Sequence, residues 1–270
     1  MTTSGDSGRP VDATPSGAAR RALVRRPADV LADGQITHIE RRPIDLELAR
    51  AQWAGYVAAL QREGWATTEV EPAPDQPDSV FIEDAVILFG RTAVLSSPGA
   101  PSRRGETAGA EAAVRALGLT VRRIDLPGTL DGGDVLKVGN TVYLGQSLRT
   151  NAEGAAQLAA IVEPLGYTVV PVPVTRALHF KTAITALPDG TIIGYPPLVD
   201  NPGLFERFVP VPEAEGTAVV VLDEHTLLMS AAAPRTTALL TGLGYRGVTV
   251  DITEFEKREG CVTCLSVRVR

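Results

Sequence analysis

The chain has 270 residues, with 26 lysines and arginines against 32 aspartates and glutamates, and a formal net charge of −6. This acidic balance argues against a nucleic-acid-binding protein, which needs cations to neutralise phosphates. No apolar run reaches the roughly 18 residues of a membrane span, and the N-terminus lacks the apolar core of a signal peptide. Because the two cysteines are too few for a disulfide scaffold, the composition predicts a globular, cytoplasmic protein.

The first residues differ in composition from the rest of the chain. Residues 1–17 contain glycine, serine, threonine, aspartate and proline but almost no large apolar residue, so we expect a disordered tail. No later stretch has the composition of a linker. We therefore predict one domain over residues 18–270.

A recurring pattern indicates structural repeats. Four helix-like stretches end in glycine, followed by a large apolar residue and a β-branched run. Glycine just past a helix end is typical of a left-handed cap, and the runs that follow are typical of strands. The four caps are Gly64-Trp65, Gly118-Leu119, Gly166-Tyr167 and Gly244-Tyr245.

Hairpin signals alternate with these units. The predicted hairpins begin near residues 80, 134, 182, 218 and 262, and repeats at a period of 20–50 residues are typical of a closed array. The last unit lacks its helix, and the chain start supplies one over Ile44–Arg62. The pattern thus predicts an α/β ring of five units, closed by the N- and C-terminal segments, with an ordinary α+β sandwich as the alternative.

Cys261 and Cys264 form a Cys-x-x-Cys sequence near the C-terminus. In an extended segment the two side chains would point to opposite faces about 10 Å apart, beyond the reach of a disulfide. A zinc site needs four ligands, and only scattered histidines remain to complete one. Two interpretations stay open: a nucleophilic cysteine of an enzyme that has a histidine elsewhere, or two small buried hydrophobic residues.

The segment Asp78–Asp84 carries three carboxylates along an apolar run predicted to be a strand. Alternation would place Asp78 and Asp84 on one face and Glu83 on the other. Like charges beside an apolar surface are costly unless a guanidinium, an ammonium group, a metal or a protein arginine compensates them. The alternative is strand-end carboxylates in water, or pairing with Arg103 or Arg104.

Two further segments carry candidate chemistry. Asp131 and Asp134 flank a glycine pair, which permits close backbone approach but is also common in turns. His179 lies in an apolar run, where a lone histidine is more often a core residue than a catalyst. Taken together, the chain offers a thiol nucleophile, an imidazole acid/base and carboxylates, which a ring fold would bring to a common centre.

Six segments resemble, in order and spacing, the dimethylarginine dimethylaminohydrolases, which are guanidine-modifying enzymes with the five-bladed pentein (α/β propeller) fold. The resemblance runs from about Asp78 to the C-terminus, is fainter over Arg20–Pro77 and is absent from the tail. The segments are D-S-V-F-I-E-D (Asp78–Asp84), P-G-A-P-S-R-R (Pro98–Arg104), L-D-G-G-D-V-L (Leu130–Leu136), L-R-T-N (Leu148–Asn151), L-H-F-K (Leu178–Lys181) and E-G-x-x-T-C-x-S (Glu259–Ser266).

The resemblance implies that Cys264 is the nucleophile, His179 the general acid/base and Asp131 the carboxylate that orients the histidine. In this chemistry the thiolate attacks the guanidinium carbon of an Nω-methylated arginine, and the histidine protonates the departing methylamine. The S-alkylthiouronium intermediate is then hydrolysed to citrulline. The resemblance implies no metal and no organic cofactor.

The resemblance also implies a substrate pocket with two kinds of charge. Carboxylates would hold the guanidinium, and arginine forks would hold the α-carboxylate. The implied partner is a small methylated amino acid, with no nucleic acid and no membrane, and a homodimer stays open. The implied substrate-binding residues are Asp78, Glu83, Asp84, Arg103 and Arg149.

Two places depart from the family's pattern. Arg258 stands where part of the family has a smaller apolar residue, on a loop that is expected to line the site. The loop near Leu31–Thr37, where a lid over the substrate would lie, does not align with the family.

Two other functions compete with this prediction. An arginine deiminase would use the same fold and release ammonia from arginine, but such enzymes typically carry a carboxylate two residues after the histidine, where this chain has Lys181. A missing carboxylate leaves room for an alkylated nitrogen, which favours methylated arginine. The third possibility, from another class, is a non-catalytic protein that binds cationic amino acids; in that case Cys264→Ser would leave its role intact.

Overall fold

The computed structural model describes residues 20–270, so the predicted tail over residues 1–17 lies outside the described residues and the division into domains stays a prediction. The described part forms five three-stranded sheets. The strands are β1 (Arg21–Val24), β2 (Ala66–Glu69), β3 (Val86–Phe89), β4 (Thr92–Leu95), β5 (Thr120–Arg123), β6 (Val135–Val138), β7 (Thr141–Gln146), β8 (Thr168–Pro173), β9 (Ile184–Ala186), β10 (Ile192–Gly194), β11 (Phe208–Pro210), β12 (Val219–Val221), β13 (Thr226–Ser230), β14 (Arg246–Val250) and β15 (Val267–Val269).

Each sheet repeats one topology: its first strand pairs antiparallel with its middle strand, and the middle strand pairs parallel with its third. In four sheets a helix connects the two parallel strands, as a parallel crossover requires. The unit of β9–β11 instead uses short 3-10 turns. The helices are α1 (Leu46–Arg62), α2 (Thr107–Ala116), α3 (Ala152–Val162), α4 (Phe180–Ala183), α5 (Pro234–Gly242) and α6 (Thr253–Glu256).

The ring closes through the two ends of the chain. β15 pairs antiparallel with β1, with Val269 opposite Arg21, and β1 pairs parallel with β2. The predicted closure of a five-unit α/β propeller is therefore confirmed. The helix that the chain start supplies begins at Leu46 rather than Ile44, because the Asp45 side chain caps it by accepting from the Leu48 N–H.

The four predicted glycine caps are also confirmed. Gly64, Gly118, Gly166 and Gly244 have φ of 80°, 70°, 92° and 96°. After each glycine, the next amide donates back to a carbonyl five residues earlier, as Trp65 N does to Leu60 O at 3.0 Å. This bond closes a Schellman motif and turns the chain from the helix into the next strand.

The apolar core lies between the helices and the sheets. α1 buries Trp53, Tyr56 and Leu60 against the sheet β15-β1-β2 and the sheet β12-β13-β14. Burial of each such side chain contributes about 1.5–3 kcal/mol to stability. Among residues 20–270, none of the helices combines the length and apolarity needed to cross a membrane.

Two predicted strands were too long. The run Val262–Val269 is a strand only over β15, because residues 262–265 form a turn. The acidic segment ends in a 3-10 turn at Ile82–Asp84, and the strand β3 begins after it, at Val86. Each correction places a candidate functional side chain on a turn rather than on a strand face.

Candidate active site

The candidate site is built from the segments that immediately precede the first strand of four repeats. They are Ile82–Asp84 before β3, Asp131–Asp134 before β6, His179 with α4 before β9, and Cys261–Cys264 before β15. Hydrogen bonds join them in sequence. Glu83 N donates to Cys264 O at 3.2 Å, Gly133 N donates to Asp84 Oδ1 at 2.9 Å, and Phe180 N donates to Asp134 Oδ1 at 2.9 Å.

The glycine pair explains how these segments approach so closely. A Cβ on Gly132 would lie 1.9 Å from the Glu83 carbonyl oxygen. A Cβ on Gly133 would lie 2.7 Å from Cγ of His179 and 2.9 Å from Asp84 Oδ1. All three distances are well inside van der Waals contact, so only glycine permits this packing.

His179 lies between two carboxylates. Its Nε2 is 3.0 Å from Asp131 Oδ2 and its Nδ1 is 3.9 Å from Asp84 Oδ1, and all three side chains are buried. Burial alone would lower the pKa of His179, but the charge of Asp84 and the hydrogen bond to Asp131 raise it to about 9. The imidazole therefore carries a proton at neutral pH.

Arg103 fixes the position and charge of Asp84. Its Nη1 donates to Asp84 Oδ2 at 2.7 Å, while Nε and Nη2 donate to the Glu106 carboxylate at 2.9 and 2.8 Å. Burial would raise the pKa of Asp84, but the charges of His179 and Arg103 lower it to about 2. Because these bonds and one to Asp78 O occupy the Arg103 fork, its predicted contact with an α-carboxylate stays a prediction.

Arg149 approaches the same cluster from the other side. Its Nη1 lies 3.6 Å from Asp131 Oδ2, and its Nη2 donates to Gln35 Oε1 at 3.0 Å. Within residues 20–270, Nη1 is buried and makes no hydrogen bond. Asp131 is held in place by the amide of Gly99, which donates to Oδ1 at 3.0 Å.

Asp134 orients the histidine indirectly, a function that the sequence reasoning missed. It accepts from Ser147 Oγ at 2.6 Å, from Thr150 Oγ1 at 2.7 Å and from the Phe180 amide. Complete burial raises the pKa of Asp134 to about 6. Since Phe180 follows His179 directly, this carboxylate fixes the start of α4 and with it the imidazole.

Cys264 lies on a turn, contrary to the extended geometry expected for it. Cys264 N donates to Cys261 O at 3.1 Å, and this bond closes a turn that brings the side chains of Cys261 and Cys264 to the same side. The two sulfur atoms are consequently 3.2 Å apart rather than on opposite faces. The contact with Cys261, burial and the negative charges of Cys261, Glu83 and Asp84 raise the pKa of Cys264 well above that of a free thiol.

Tyr56 of α1 holds this turn from behind. Its buried hydroxyl is 2.9 Å from Val262 O and 2.7 Å from Ser266 Oγ, so it contacts the chain on both sides of Cys264. The sequence offered no motif for this residue. Its place in the buried stripe of α1 was the only available signal.

Glu83 faces a different compartment from His179. Its Oε1 is 2.7 Å from Lys181 Nζ and 3.2 Å from Arg268 Nη2, and these three residues help to line a cavity of about 660 Å³. The lining of that cavity does not include Asp131, His179 or Cys264. The predicted contact of Glu83 with substrate stays a prediction.

Asp78 contacts Gln35 and Arg103. Its Oδ2 accepts from Gln35 N at 3.0 Å and its backbone carbonyl accepts from Arg103. Gln35 belongs to the Leu31–Thr37 loop, where the resemblance implies a lid over the substrate but this chain does not align with the family. The structure therefore brings this loop into contact with both Asp78 and Arg149.

Asp84, Asp131 and His179 also have the composition of a metal site, since one ligand atom from each lies within 4.8 Å of the others. Two guanidinium groups compete with that use. Arg103 is bonded to Asp84, and Arg149 lies beside Asp131, so both carboxylates already face a positive charge. The arrangement favours proton transfer and cation binding over metal coordination.

Sequence comparisons place this geometry in context. The arginine deiminase family model matches residues 60–252. An N(G),N(G)-dimethylarginine dimethylaminohydrolase of Streptomyces coelicolor is 59% identical over 93% of this chain and 98% of its own length. An enzyme of the same name from Pseudomonas aeruginosa is 38% identical over 92% of this chain and 99% of its own length.

Solved structures give the same result. A dimethylarginine dimethylaminohydrolase variant crystallised as an adduct with S-methyl-L-thiocitrulline superposes with a TM-score of 0.86 at 35% identity, covering 92% of this chain and 98% of that one. A mutant of the Pseudomonas aeruginosa enzyme complexed with citrulline superposes with a TM-score of 0.85 at 36% identity, with the same coverage.

Proposed function

The chain belongs to the dimethylarginine dimethylaminohydrolases, within the arginine deiminase family, and from this premise we propose that it hydrolyses Nω-methylated arginine to citrulline and a methylamine. The likeness covers nearly the whole of each relative, so it concerns the complete catalytic unit. The observation that supports the proposal best is the burial of His179 between Asp131 and Asp84. The turn that carries Asp84 is itself bonded to the Cys264 turn, because Glu83 N donates to Cys264 O.

Binding prepares the nucleophile. At neutral pH the Cys264 thiol holds its proton, because burial and nearby negative charge disfavour a thiolate. A substrate guanidinium bound at Asp84 adds a positive charge beside the Cys264 sulfur. This charge lowers the free-energy cost of ionising the thiol to a thiolate. The thiol proton then leaves to solvent, so the reactive anion forms only when substrate is present.

His179 then moves protons in both half-reactions. The Cys264 thiolate attacks the guanidinium carbon, the bond from that carbon to the methylated nitrogen breaks, and the imidazolium gives its proton to the departing amine. The product is a cationic S-alkylthiouronium on Cys264 and a neutral His179. The neutral imidazole next takes a proton from water as the water oxygen bonds to the same carbon. The carbon–sulfur bond then breaks with its electron pair on sulfur, and the remaining hydroxyl proton passes to the sulfur, which releases neutral citrulline and restores the Cys264 thiol and the His179 imidazolium.

The electrostatic arrangement suits both steps. Asp84 stays ionised because Arg103 and His179 lower its pKa to about 2, so it holds a cation over the whole physiological range. Asp131 stabilises the imidazolium before it donates. Arg149, with its buried unpartnered nitrogen, is suited to the α-carboxylate at the far end of the substrate.

The proposal is tested by measuring citrulline from asymmetric dimethylarginine, monomethylarginine and arginine side by side. We expect both methylated substrates to be turned over with release of dimethylamine or methylamine. Cys264→Ser should bind substrate but form no citrulline, which also separates the enzyme from a binding protein. Release of ammonia from arginine far faster than release of dimethylamine from dimethylarginine would contradict the proposal.

The proposed cellular setting follows from the thiols. Cys261 and Cys264 are both free, and the cytosol keeps such thiols reduced, so we place the enzyme in the cytoplasm. The homodimer that the sequence leaves open is tested by light scattering of the purified protein, which decides between one and two copies.

A further inference from the structure

Arg258 is a buried cation without an adequate partner. Arg258 is 2% exposed, and its Nε and Nη1 make no hydrogen bond to any part of the chain that the structure describes. Its one hydrogen bond runs from Nη2 to the Gln35 carbonyl oxygen at 3.5 Å, the limit of such an interaction. Burial lowers the pKa of Arg258, although the charge of Asp78 opposes this effect.

The position of Arg258 is imposed by its neighbour. Glu259 has a φ of 57°, which is unfavourable for a residue with a side chain. Its carboxylate accepts from the amides of Thr37 and His38 at 2.6 and 2.8 Å. These bonds fix the backbone beside Arg258 against the loop over the site.

Two poorly satisfied guanidinium groups thus meet the same loop residue. Arg149 reaches the side chain of Gln35 and Arg258 reaches its backbone carbonyl. Both arginines retain buried nitrogens that make no hydrogen bond among residues 20–270, although Nη1 of Arg149 lies 3.6 Å from Asp131 Oδ2. Leaving buried charged donors unsatisfied is costly, so such groups indicate an anionic ligand. A carboxylate is the natural counterpart, because a guanidinium fork can bind both of its oxygens.

We propose that Arg258 is a specificity-determining residue that binds the α-carboxylate of the substrate together with Arg149. The inference rests on the proposed function, since the carboxylate is that of a methylated arginine. A methylated arginine inside a peptide has no α-carboxylate to satisfy these guanidinium groups.

A purely structural function for Arg258 has less support. The loop is already held by shorter bonds, from Arg41 to Ala32 O at 2.7 Å and to Gly34 O at 2.9 Å, and from Gln35 N to Asp78 at 3.0 Å. The 3.5 Å contact of Arg258 adds little to them. Arg41 therefore provides a matched control, as an exposed arginine that bonds only the loop backbone.

The test measures each enzyme variant with two substrates. Asymmetric dimethylarginine carries the α-carboxylate, and N,N-dimethylagmatine has the same guanidinium without it. Dimethylamine release is the readout for both. We expect Arg258→Gln to raise the KM for dimethylarginine about 10- to 100-fold, the range for a lost hydrogen bond to a charged group, with kcat little changed. The KM for dimethylagmatine should not change.

The control variants separate the possible outcomes. Arg258→Lys should recover part of the affinity, because it keeps the charge but loses the fork. Arg41→Gln should affect both substrates by the same factor. If Arg258→Gln also impairs both substrates equally, Arg258 acts on the loop and the inference is wrong. If the wild type is active and Arg258→Gln is unaffected, the inference is wrong but the proposed function stands. If the wild type is inactive, the proposed function is wrong as well.

Thermal unfolding adds an independent readout. Removing an unpartnered buried cation should leave the melting temperature of Arg258→Gln unchanged or raise it, since no good hydrogen bond is lost. A melting temperature lowered by several degrees would show that the arginine supports the fold, which would contradict the inference.

Discussion

Nε2 of His179 lies 3.0 Å from Oδ2 of Asp131, in a place where both side chains are buried. This contact orients the imidazole and leaves Nδ1, on the side of Asp84, as the nitrogen that exchanges protons. It also raises the pKa of the histidine to about 9, together with the charge of Asp84. In the proposed mechanism, His179 therefore holds the proton that it donates before substrate arrives.

The first prediction concerns the pH dependence of turnover. Because His179 must be protonated to expel the amine and its pKa is about 9, kcat should fall as the pH rises above about 9. Asp131→Asn removes the carboxylate that favours the charged imidazole, so the descending limb should move toward the ordinary histidine value near 6.5 and kcat should drop about 100-fold or more. The pH–rate profile at saturating dimethylarginine measures both effects. An unshifted limb in the variant would contradict the assignment.

The second prediction concerns the pH dependence of stability. The pKa of His179 is raised on folding, so its stabilisation is fully present below about pH 6.5 and is lost as the pH rises toward 9. Raising the pKa from its ordinary value of 6.5 to about 9 corresponds to about 3 kcal/mol of folding free energy. Urea unfolding of the wild type at pH 6 and pH 9 should show this loss, and His179→Gln should show a much smaller one. Equal losses would mean that other groups are responsible.

The third prediction concerns the glycine pair. Gly133→Ala places a Cβ against His179 and Asp84, so it should reduce kcat at least 100-fold and cost about 1–3 kcal/mol of stability. Gly55, in α1, has open space around the added Cβ and is the matched control. Gly55→Ala should gain about 0.5–1 kcal/mol and keep full activity. Citrulline formation and urea unfolding of both variants check this, and a fully active Gly133→Ala enzyme would show that His179 tolerates displacement.

The fourth prediction concerns Tyr56. Tyr56→Phe keeps the packing of α1 but removes the hydroxyl that contacts Val262 O and Ser266 Oγ. Leaving these buried groups without a partner should cost about 1–3 kcal/mol of stability. Because the hydroxyl positions Cys264 without touching substrate, kcat should fall while KM stays nearly constant. A raised KM with normal kcat would place Tyr56 in substrate binding instead.

The sequence allowed the ring to be predicted because its repeat is local. Each glycine cap is marked by a positive-φ requirement and a following apolar residue, and both signals can be read within a few positions. The strand β1 was missed, since it is short and defined by its pairing with β15 at the opposite end of the chain. Propensity carries no information about a partner so far away in sequence.

The same limit explains the errors around the site. The β-branched residues near Cys264 favoured a strand, but tertiary contacts such as that of Tyr56 with Val262 impose a turn. Lys181 was correctly recognised as a position without a carboxylate, yet its bond to Glu83 depends on how two repeats meet and has no sequence signal. The functions of Glu106 and Asp134 as fixed supports for Arg103 and Phe180 were hidden for the same reason.

The pairing of β1 with β15 makes the position of the Cys264 sulfur depend on both strands that close the ring. Cys264 lies three residues before Val267, where β15 begins, and the backbone of β15 is held by β1. Removal of β1 or β15 would break this pairing and release the turn that carries the Cys264 thiol. A circular permutant of residues 20–270, with a linker from Arg270 to Arg20 and new ends at the exposed Pro188-Asp189 turn, should keep β1 paired with β15 and remain active.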